Sequence, residues 1–360
     1  MVVMRKIRTA YGIARTGAKG WPSFLWNTAM AQQRRVGPLL PPVHVAIEPT
    51  NACNAQCPVC ETGRDEMPRR KGMLDKKTYE NFIDKAAWHT NSLLFYFMGE
   101  PFLNKHAYDM IRYTRQKGIW VETCTNGDFV DAKGVIYSDI NKISFQLGGM
   151  TEETHQRYRV GCSLEKAQKN IYELIEERRR SPGSNVQIEV GLIVMRHNEH
   201  EVPEFLRWAR EIGVDVANIV DPCARDVLEA YAYLPEDRKY WFYDEQALKQ
   251  GVLRPKIVPA NECMWIWNSI QINWNGDAVP CCRDPTGKHV LGNVFEDGIL
   301  RVFNSAKARA FRQGILNNQG AVDICRLCSS YGAPALVHAK PATFDVQWHS
   351  LNGTDLDNSP

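Results

Sequence analysis

The feature that most constrains the fold of this chain is the alternation of apolar runs with amphipathic segments between residues 43 and 220. Short apolar runs predict buried strands, here at 43–48, 93–98, 119–124, 142–147, 186–195 and 214–220. Apolar residues at helical spacing predict helices between them, at 76–88, 106–117, 163–178 and 199–212. Because strands that alternate with helices form parallel sheets, and six strands are too few to close an eight-stranded barrel, we expect an α/β fold with a partial (β/α)6 TIM-like barrel.

The rest of the chain is divided around that barrel. A length of 360 residues is typical of about two domains. The predicted parts are a basic amphipathic N-terminal arm at 1–42, the barrel at 43–221, a helical linker or lid at 222–259, a small cysteine-bearing domain at 260–342 and a tail at 343–360. The tail has no clear periodicity.

Positive charge is concentrated in the arm. Seven basic residues precede Glu48, the first acidic residue, whereas the whole chain has a net charge of +3. Apolar residues at helical spacing between these basic residues are typical of a helix on an anionic membrane, so residues 1–35 are a candidate for peripheral membrane contact. Packing on the barrel and a transit peptide are alternatives, and nucleic acid is not an expected partner. Without a long apolar segment, we expect a cytoplasmic protein.

Eleven cysteines without an export signal disfavour a disulfide framework and favour metal sites. Cys53, Cys57 and Cys60 form a C-x3-C-x2-C loop directly after the first predicted strand, at the end of a barrel strand where active sites gather. Thiolates hold iron–sulfur clusters, and three thiolates on a four-iron cluster leave one iron open to an outside molecule. A structural zinc site, which is normally closed by four protein ligands, is the alternative.

This loop, placed after the first strand of a partial barrel, resembles the hallmark of the radical S-adenosylmethionine (SAM) superfamily over residues 43–220. The resemblance implies that the open iron binds the amino and carboxylate groups of SAM. It also implies that an electron from the cluster cleaves SAM to methionine and a 5′-deoxyadenosyl radical, which abstracts a hydrogen atom from the substrate. An electron donor such as flavodoxin or ferredoxin is then a partner.

Further positions resemble the SAM-binding residues of that family. They are Gly99, Glu100, Thr125, Asn126, Ser144 and Arg159. Met98 stands where the family has the first glycine of a Gly-Gly-Glu stretch, and Gln146 stands where it has a carboxylate, so Gln146 cannot act as a general base. By the same resemblance, Arg159 pairs with the SAM carboxylate, for which a guanidinium is a good bidentate partner.

Four cysteines near the end of the chain form a second group. They are Cys263, Cys281, Cys325 and Cys328, spaced C-x17-C-x43-C-x2-C. Gly276 and Asp277 predict a hairpin that brings Cys263 and Cys281 together on neighbouring strands. Four thiolates make a closed site, and residue types alone leave both an iron–sulfur cluster and zinc open.

The second group resembles the SPASM/twitch extension of radical SAM enzymes. The resemblance rests on a G-x4-C unit that ends at Cys281, the Gly-Asn-Val stretch from Gly292, and the closing C-x2-C. It implies one auxiliary 4Fe-4S cluster, hence two clusters in all, with Cys281 as a ligand and Cys282 as a spare thiol. The cysteine spacing is close to that of aminocyclitol dehydrogenases. A fully ligated cluster favours electron transfer, which implies net oxidation of the substrate.

The resulting hypothesis is a radical SAM oxidoreductase that dehydrogenates, or forms a bond in, a small molecule, a sugar or a lipid-linked substrate. A peptide-modifying enzyme (a RiPP maturase) or an epimerase is one alternative. A non-catalytic zinc or iron–sulfur protein is the alternative of another class. The candidate catalytic groups are Cys124, Cys223, Glu189 and Asp221. Burial as a small apolar residue is the other interpretation of those two thiols and of Cys162.

Overall fold

A single sheet runs through both halves of the chain in this computed structural model, which describes residues 19–257, 260–328, 336, 338 and 340–349. The strands of the described part, β1 to β10 in chain order, are His44–Ile47, Ser92–Leu94, Trp120–Thr125, Lys142–Leu147, Gln187–Ile193, Val216–Val220, Ser269–Ile272, Asp277–Val279, Gly292–Asn293 and Asp345–His349. Their order across the sheet is β10-β6-β5-β4-β3-β2-β1-β7-β8-β9.

Strands β1 to β6 are the six predicted barrel strands. Each runs parallel to the next and is hydrogen-bonded to it. The first six residues of β5 are all buried, as expected where both faces of a parallel sheet are covered. This mostly parallel arrangement confirms the predicted α/β class and is consistent with a partial TIM-like barrel. Strand β2 is shorter than predicted, because the chain turns away from the sheet soon after Phe95, whose amide still donates to the Glu122 carbonyl at 2.8 Å.

The helices lie between and beyond these strands. In chain order, α1 to α13 of the described part are Trp21–Gln32, Lys76–Ala86, Ala107–Gln116, Ala132–Ser138, Glu152–Tyr158, Leu164–Arg180, Val202–Ile212, Val227–Tyr233, Glu245–Lys249, Trp265–Asn268, Val294–Asp297, Ile299–Phe303 and Ala306–Asn318. The four predicted barrel helices are α2, α3, α6 and α7. Helices α4 and α5 are additional, and each has only seven residues.

Helix α6 illustrates why the predicted helices form. The Ser163 side chain caps its first turn by accepting from the Lys166 amide. Its buried face is the predicted apolar stripe, on which Ile171 and Leu174 are fully buried. Three arginines occupy its last turn, where positive charge favours the helix dipole.

The second half of the chain extends the barrel sheet at β1. Strand β7 lies parallel to β1 and antiparallel to β8, which confirms the predicted hairpin. Its turn uses Gly276 at φ +92°, a conformation that favours glycine. Cys263 was predicted to lie on a strand of this hairpin. It instead precedes the short helix α10.

Two segments outside the barrel complete the fold, and only the tail differs from its predicted structure. The tail contains strand β10, which pairs in parallel with β6 and aligns Asp345 with Val216. The linker holds α8 and α9 around a small aromatic core that includes Trp241, Phe242 and Tyr243.

The predicted membrane-binding helix lies mostly outside the described residues, which begin at residue 19. The described end of the arm forms α1, where Met30 is buried and Asn27 Nδ2 donates to the Leu40 carbonyl at 3.0 Å. Within the described part of the chain, no helix is both long and apolar enough to cross a membrane.

Candidate functional site

The loop after β1 carries the first three cysteines and is held by a buried ion pair. Glu48 directly follows β1 and is fully buried. Its two carboxylate oxygens accept from Arg69 Nη1 and Nη2, both at 2.8 Å. Arg69 Nε also donates to the Pro285 carbonyl at 2.8 Å. The bidentate pair fixes the orientation of Arg69 as well as its distance from Glu48. Through its hydrogen bond to Pro285, Arg69 therefore joins the loop to the second cysteine-bearing region.

The three thiols of this loop lie in one small apolar cluster. Cys57 is buried there beside Tyr158 and Met195, and Cys53 and Cys60 pack against the cluster. Burial raises the pKa of Cys53 to about 12 and also raises that of Cys60. A thiol must lose its proton to bind iron, so cluster binding at this loop releases protons.

The residues after β2 approach this loop closely. Gly99 has φ +79°, and a Cβ atom on it would lie 2.5 Å from the Thr50 carbonyl oxygen. The Glu100 amide donates to the Ala52 carbonyl at 2.8 Å. Only glycine fits at position 99, which brings Glu100 next to the backbone that leads into Cys53.

The Glu100 carboxyl is buried and connects two strand ends. It accepts from Thr125 Oγ1 at 2.8 Å, from the Asn126 amide at 2.9 Å and from the Phe102 amide at 3.2 Å. Burial raises the pKa of Glu100 to about 7, against the opposing effect of these hydrogen bonds. Asn126 Nδ2 in turn donates to Asn54 Oδ1 at 2.8 Å, within the cysteine loop. Three of the roughly four acceptor positions of a carboxylate are therefore used, which leaves one for a ligand.

Arg159 lies at the end of α5 and points at the same cysteines. Its Nη1 donates to Cys57 Sγ at 3.6 Å, and its guanidinium carbon lies 5.1 Å from the centre of the Tyr158 ring. Its buried Nε has no hydrogen-bond partner among the described residues. A buried cation with an unused donor beside thiols suits an anionic group.

Ser144 faces the barrel interior, where its hydroxyl group is already engaged. It donates to Glu189 Oε1 at 2.6 Å and accepts from Gln146 Nε2 at 2.8 Å. Lys142 Nζ lies 2.9 Å from Glu189 Oε2. Burial opposes ionisation of Glu189, but Lys142 and Ser144 outweigh it and lower the pKa of this carboxyl. Glu189 is thus ionised near neutral pH and forms a buried polar group with Ser144 and Lys142.

The second group of cysteines is assembled inside the protein. Cys281, Cys325 and Cys328 are buried, whereas Cys282 is exposed. Burial raises the pKa of Cys263 to about 11 and that of Cys325 to about 12, and the neighbouring Cys328 thiol raises both further. Burial also raises the pKa of Cys281 well above its usual value, with Cys263 and Cys325 among the neighbours that add to the effect. Cys263 is thus electrostatically coupled to Cys281, Cys325 and Cys328, and the exposed Cys282 is coupled to Cys263 and Cys281.

The two sets of thiols suit iron–sulfur clusters. Among the described residues, no three His, Cys, Asp or Glu side chains form a site for a single metal ion. Each thiolate on a four-iron cluster binds a different iron, so such a cluster does not need thiols that meet at one point. Three thiols beside the Arg159 guanidinium fit a cluster with one open iron, and four thiols, three of them buried, fit a closed cluster.

A cavity of about 590 Å³ connects the two cysteine regions. Cys60 and its neighbours contribute to its wall on one side, and Cys282, residues 323–324 and residues 326–327 contribute on the other. Met98, Tyr158 and Met195 line it near the first loop. The volume is in the range of small-molecule sites.

The remaining sequence candidates divide into two sets. Asp221 and Cys223 line the cavity, and Cys223 Sγ accepts from Arg283 Nη1 at 3.6 Å. Cys124 is outside the cavity lining, and burial raises its pKa to about 12. Cys162 is buried in the apolar cluster of the first loop, with Asn54 Nδ2 at 3.5 Å from its sulfur.

Sequence reasoning missed several residues of the cavity wall. Arg225 forms a bidentate ion pair with Glu61, at 2.8 Å from Nε and 2.7 Å from Nη2. Arg283, Lys288 and Arg326 line the opposite side. The only sequence signals were the position of Arg283 directly after Cys281 and Cys282 and that of Arg326 inside the closing C-x2-C motif, and no motif surrounds Arg225 or Lys288.

Two family comparisons agree with this geometry. Residues 47–209 match the Radical SAM superfamily. Residues 263–329 match SPASM, described as an iron–sulfur cluster-binding domain. Each match contains one of the two cysteine groups. The first domain implies a 4Fe-4S cluster and SAM as cofactors, and the second implies additional iron–sulfur clusters.

Individual relatives are distant. A protein from Pyrococcus furiosus named tungsten-containing aldehyde ferredoxin oxidoreductase cofactor-modifying protein is 21% identical over 301 residues, which cover 75% of this chain and 83% of the relative. The structure of Streptococcus suis SuiB bound to the precursor peptide SuiA is similar at a TM-score of 0.59 and 13% identity, covering 91% of this chain and 79% of SuiB. BtrN in complex with AdoMet and 2-DOIA is similar at a TM-score of 0.51 and 16% identity, covering 83% of this chain and 96% of BtrN. The structural matches support the fold, and the two domain matches show that this chain carries a radical SAM domain followed by a C-terminal SPASM domain.

Proposed function

We propose that this enzyme cleaves SAM reductively at a 4Fe-4S cluster held by Cys53, Cys57 and Cys60, and oxidises a substrate beside a second 4Fe-4S cluster. The thiols proposed to hold the second cluster are Cys263, Cys281, Cys325 and Cys328. The substrate class is a small molecule, a sugar or a lipid-linked molecule, and the electron donor is a protein such as flavodoxin or ferredoxin.

The observation that supports this proposal most strongly is the cavity between the two cysteine regions. Its wall contains Cys60 from the first loop and Cys282 from the second region. A substrate in this space is therefore near both proposed clusters. When bound, the clusters and SAM supply the reducing electron, a 5′-deoxyadenosyl radical that abstracts a hydrogen atom, and an acceptor for a second electron.

The residues of the chain position SAM in this proposal. Glu100 presents its remaining acceptor position to the SAM amine, and Arg159 presents its unused donor to the SAM carboxylate. Thr125 and Asn126 are held at the ribose side by their hydrogen bonds to Glu100. Ser144 holds the Glu189 side chain in place, because its hydroxyl group donates its proton to that carboxylate.

Epimerisation is the second candidate function, and it rests on Cys223. This thiol lies in the cavity wall, where it could return a hydrogen atom to a substrate radical. Cys124 is less suited to that role, because the residues that line the cavity do not include it. A peptide substrate would be consistent with either reaction.

The proposal is tested with protein reconstituted anaerobically with iron and sulfide. We expect about eight irons per chain, and formation of 5′-deoxyadenosine from SAM when a reductant is added. Zinc in place of iron, without cleavage of SAM, would instead support the non-catalytic alternative. Deuterium transfer from candidate substrates into 5′-deoxyadenosine then identifies the substrate, and deuterium uptake from solvent into recovered substrate distinguishes epimerisation from oxidation.

A further inference from the structure

The two sides of the cavity differ in chemistry. The side formed by the barrel is mostly apolar, and its lining residues include Val59, Met98, Ile193, Met195 and Val220. The side formed by the SPASM region carries three basic residues, Arg283, Lys288 and Arg326, and one carboxylate, Asp323. A substrate that fills this space therefore meets an apolar surface at one end and a basic surface at the other.

The other charges of the lining do not cancel this difference. Arg225 is paired in a bidentate manner with Glu61, so these two charges compensate each other. Asp221 is the remaining carboxylate and lies on the barrel side. The basic surface is thus confined to the SPASM side.

The single carboxylate of the SPASM side is shared between two partners. Asp323 Oδ1 lies 2.7 Å from His289 Nε2, and its Oδ2 lies 3.7 Å from Lys288 Nζ. The Arg283 guanidinium donates to the Cys223 sulfur, an acceptor that carries no charge when it is a thiol. Even with Arg283 left out of the count, Lys288 and Arg326 outnumber Asp323 in the lining, which leaves the SPASM side with a positive charge that an anionic ligand can balance.

We propose that the substrate carries a phosphate or carboxylate group that binds Arg283, Lys288 and Arg326, while its reacting carbon faces Met98 and Met195. This inference rests on the proposed function and adds to it the chemical class and the orientation of the substrate. Guanidinium groups bind anionic oxygens in pairs, so they fix a direction as well as an affinity. Binding energy from the anionic end then holds the other end near the SAM site.

A competing role for the basic side is to stabilise the second cluster itself. The positive charge of Arg283 acts to lower the pKa of the Cys325 thiol, whereas burial raises that pKa. Lys288 is less suited to stabilising the second cluster, because 65% of its side chain is exposed to solvent. Arg326 is also exposed, although it directly follows Cys325 in the sequence.

The test uses the full chain, reconstituted with its clusters and saturated with SAM under anaerobic conditions. Binding of inorganic phosphate and of acetate is measured by isothermal titration calorimetry, with glycerol as a neutral reference. The variants are Arg326→Gln and Lys288→Gln, and the matched control is Arg301→Gln, whose side chain is 81% exposed on α12. We expect the wild type to bind phosphate, acetate or both, each variant to bind about tenfold more weakly, and the control to match the wild type.

The outcomes separate the possible sources of the anionic group and the competing role. Stronger binding of phosphate than of acetate indicates a phosphorylated substrate, and the reverse indicates a carboxylic acid. The proposal is overturned if the wild type binds neither ion, if the two variants bind as well as the control, or if they only shift the reduction potential of the second cluster. SAM cleavage by the same wild-type preparation is the separate readout: cleavage without ion binding defeats only this inference, whereas absence of cleavage defeats the proposed function.

Discussion

The two cysteine regions of this protein differ in how the chain assembles them. The first three thiols lie in one loop, residues 53–60, directly after β1. The other four are spread over residues 263–328 and come from the segment before α10, the segment after β8, and the short 3-10 helix Asp323–Cys325 with the turn that follows it. The first group is therefore a local motif, whereas the second exists only once its region has folded.

The two regions also differ in their packing. The first loop forms a small apolar cluster of its own with Tyr158 and Met195. Cys281 and Cys325 belong to the main hydrophobic core, together with residues such as Trp267. Loss of a thiol from the second region should therefore reduce stability more than loss of one from the first loop.

The largest expected effect follows from Cys57→Ala. This substitution removes one of only three proposed ligands, so we expect loss of SAM cleavage and a fall from about eight to about four irons per chain. Iron analysis and chromatography of 5′-deoxyadenosine measure both. The matched control is Cys162→Ala, a buried thiol of the same apolar cluster, which should retain its iron. Equal iron loss in the control would contradict the assignment.

Cys281→Ala tests the second region. Removal of a buried ligand should eliminate the second cluster, about half of the iron, and lower Tm by several degrees, because metal binding contributes to folding here. Cys282→Ala, which removes the adjacent exposed thiol, should retain the iron and the Tm. Loss of iron and a lower Tm in Cys282→Ala but not in Cys281→Ala would show that Cys282 is the ligand. The burial of Cys281 would then have no bearing on cluster binding.

The pH dependence of SAM binding tests whether the Glu100 carboxylate contributes to SAM affinity in the first region. Burial raises the pKa of Glu100 to about 7, so the carboxyl is mostly neutral at pH 6 and ionised at pH 8. The iron-bound amine of SAM donates its N–H to the ionised carboxylate. Because the ionised fraction rises about tenfold from one pH unit below a pKa to one unit above it, SAM affinity should rise by about tenfold over this interval. Equilibrium dialysis measures the affinity.

The pH-dependent rise in SAM affinity should be absent in Glu100→Gln, while the exposed control Glu211→Gln should behave as the wild type. A rise that persists unchanged in Glu100→Gln would assign the titration to another group.

The smallest effect is expected for Arg312→Lys in the SPASM region. The buried guanidinium donates to the Ile266 carbonyl at 3.2 Å and to the Phe303 carbonyl at 2.8 Å. An ammonium cannot reach both carbonyls in the same way, so the variant should lose about 1 kcal/mol of unfolding free energy in urea. Arg309→Lys on the exposed face of α13 should lose none. Equal stability of the two variants would show that the buried contacts of Arg312 contribute nothing.

The parts of the fold that the sequence predicted are those with strong local patterns. The stripe of α6 and the apolar residues that recur at every second position of β4 and β5 determine their own structure, because each matches one periodicity. Strand β10 was missed, since its sequence Asp-Val-Gln-Trp-His is mixed in polarity and its pairing with β6 depends on a distant segment. The short α4 and α5 have too few residues for a clear helical period.

The candidate site also contains a part that the sequence reveals and a part that only the structure reveals. The C-x3-C-x2-C loop was visible because its three ligands are close in sequence. The bidentate pair of Glu48 with Arg69, the contacts of Glu100 with Thr125 and Asn126, and the basic cavity wall join residues that are far apart in sequence. Their partners are determined by tertiary structure, and no local spacing indicates them.

The most direct test of the central claim is electron paramagnetic resonance of the reduced, reconstituted protein with and without SAM. Three thiol ligands leave one iron accessible, so SAM should change the spectrum of a 4Fe-4S cluster in the wild type and have no such effect in Cys57→Ala. A spectrum without a 4Fe-4S cluster, or one that SAM changes equally in Cys57→Ala, would contradict the account.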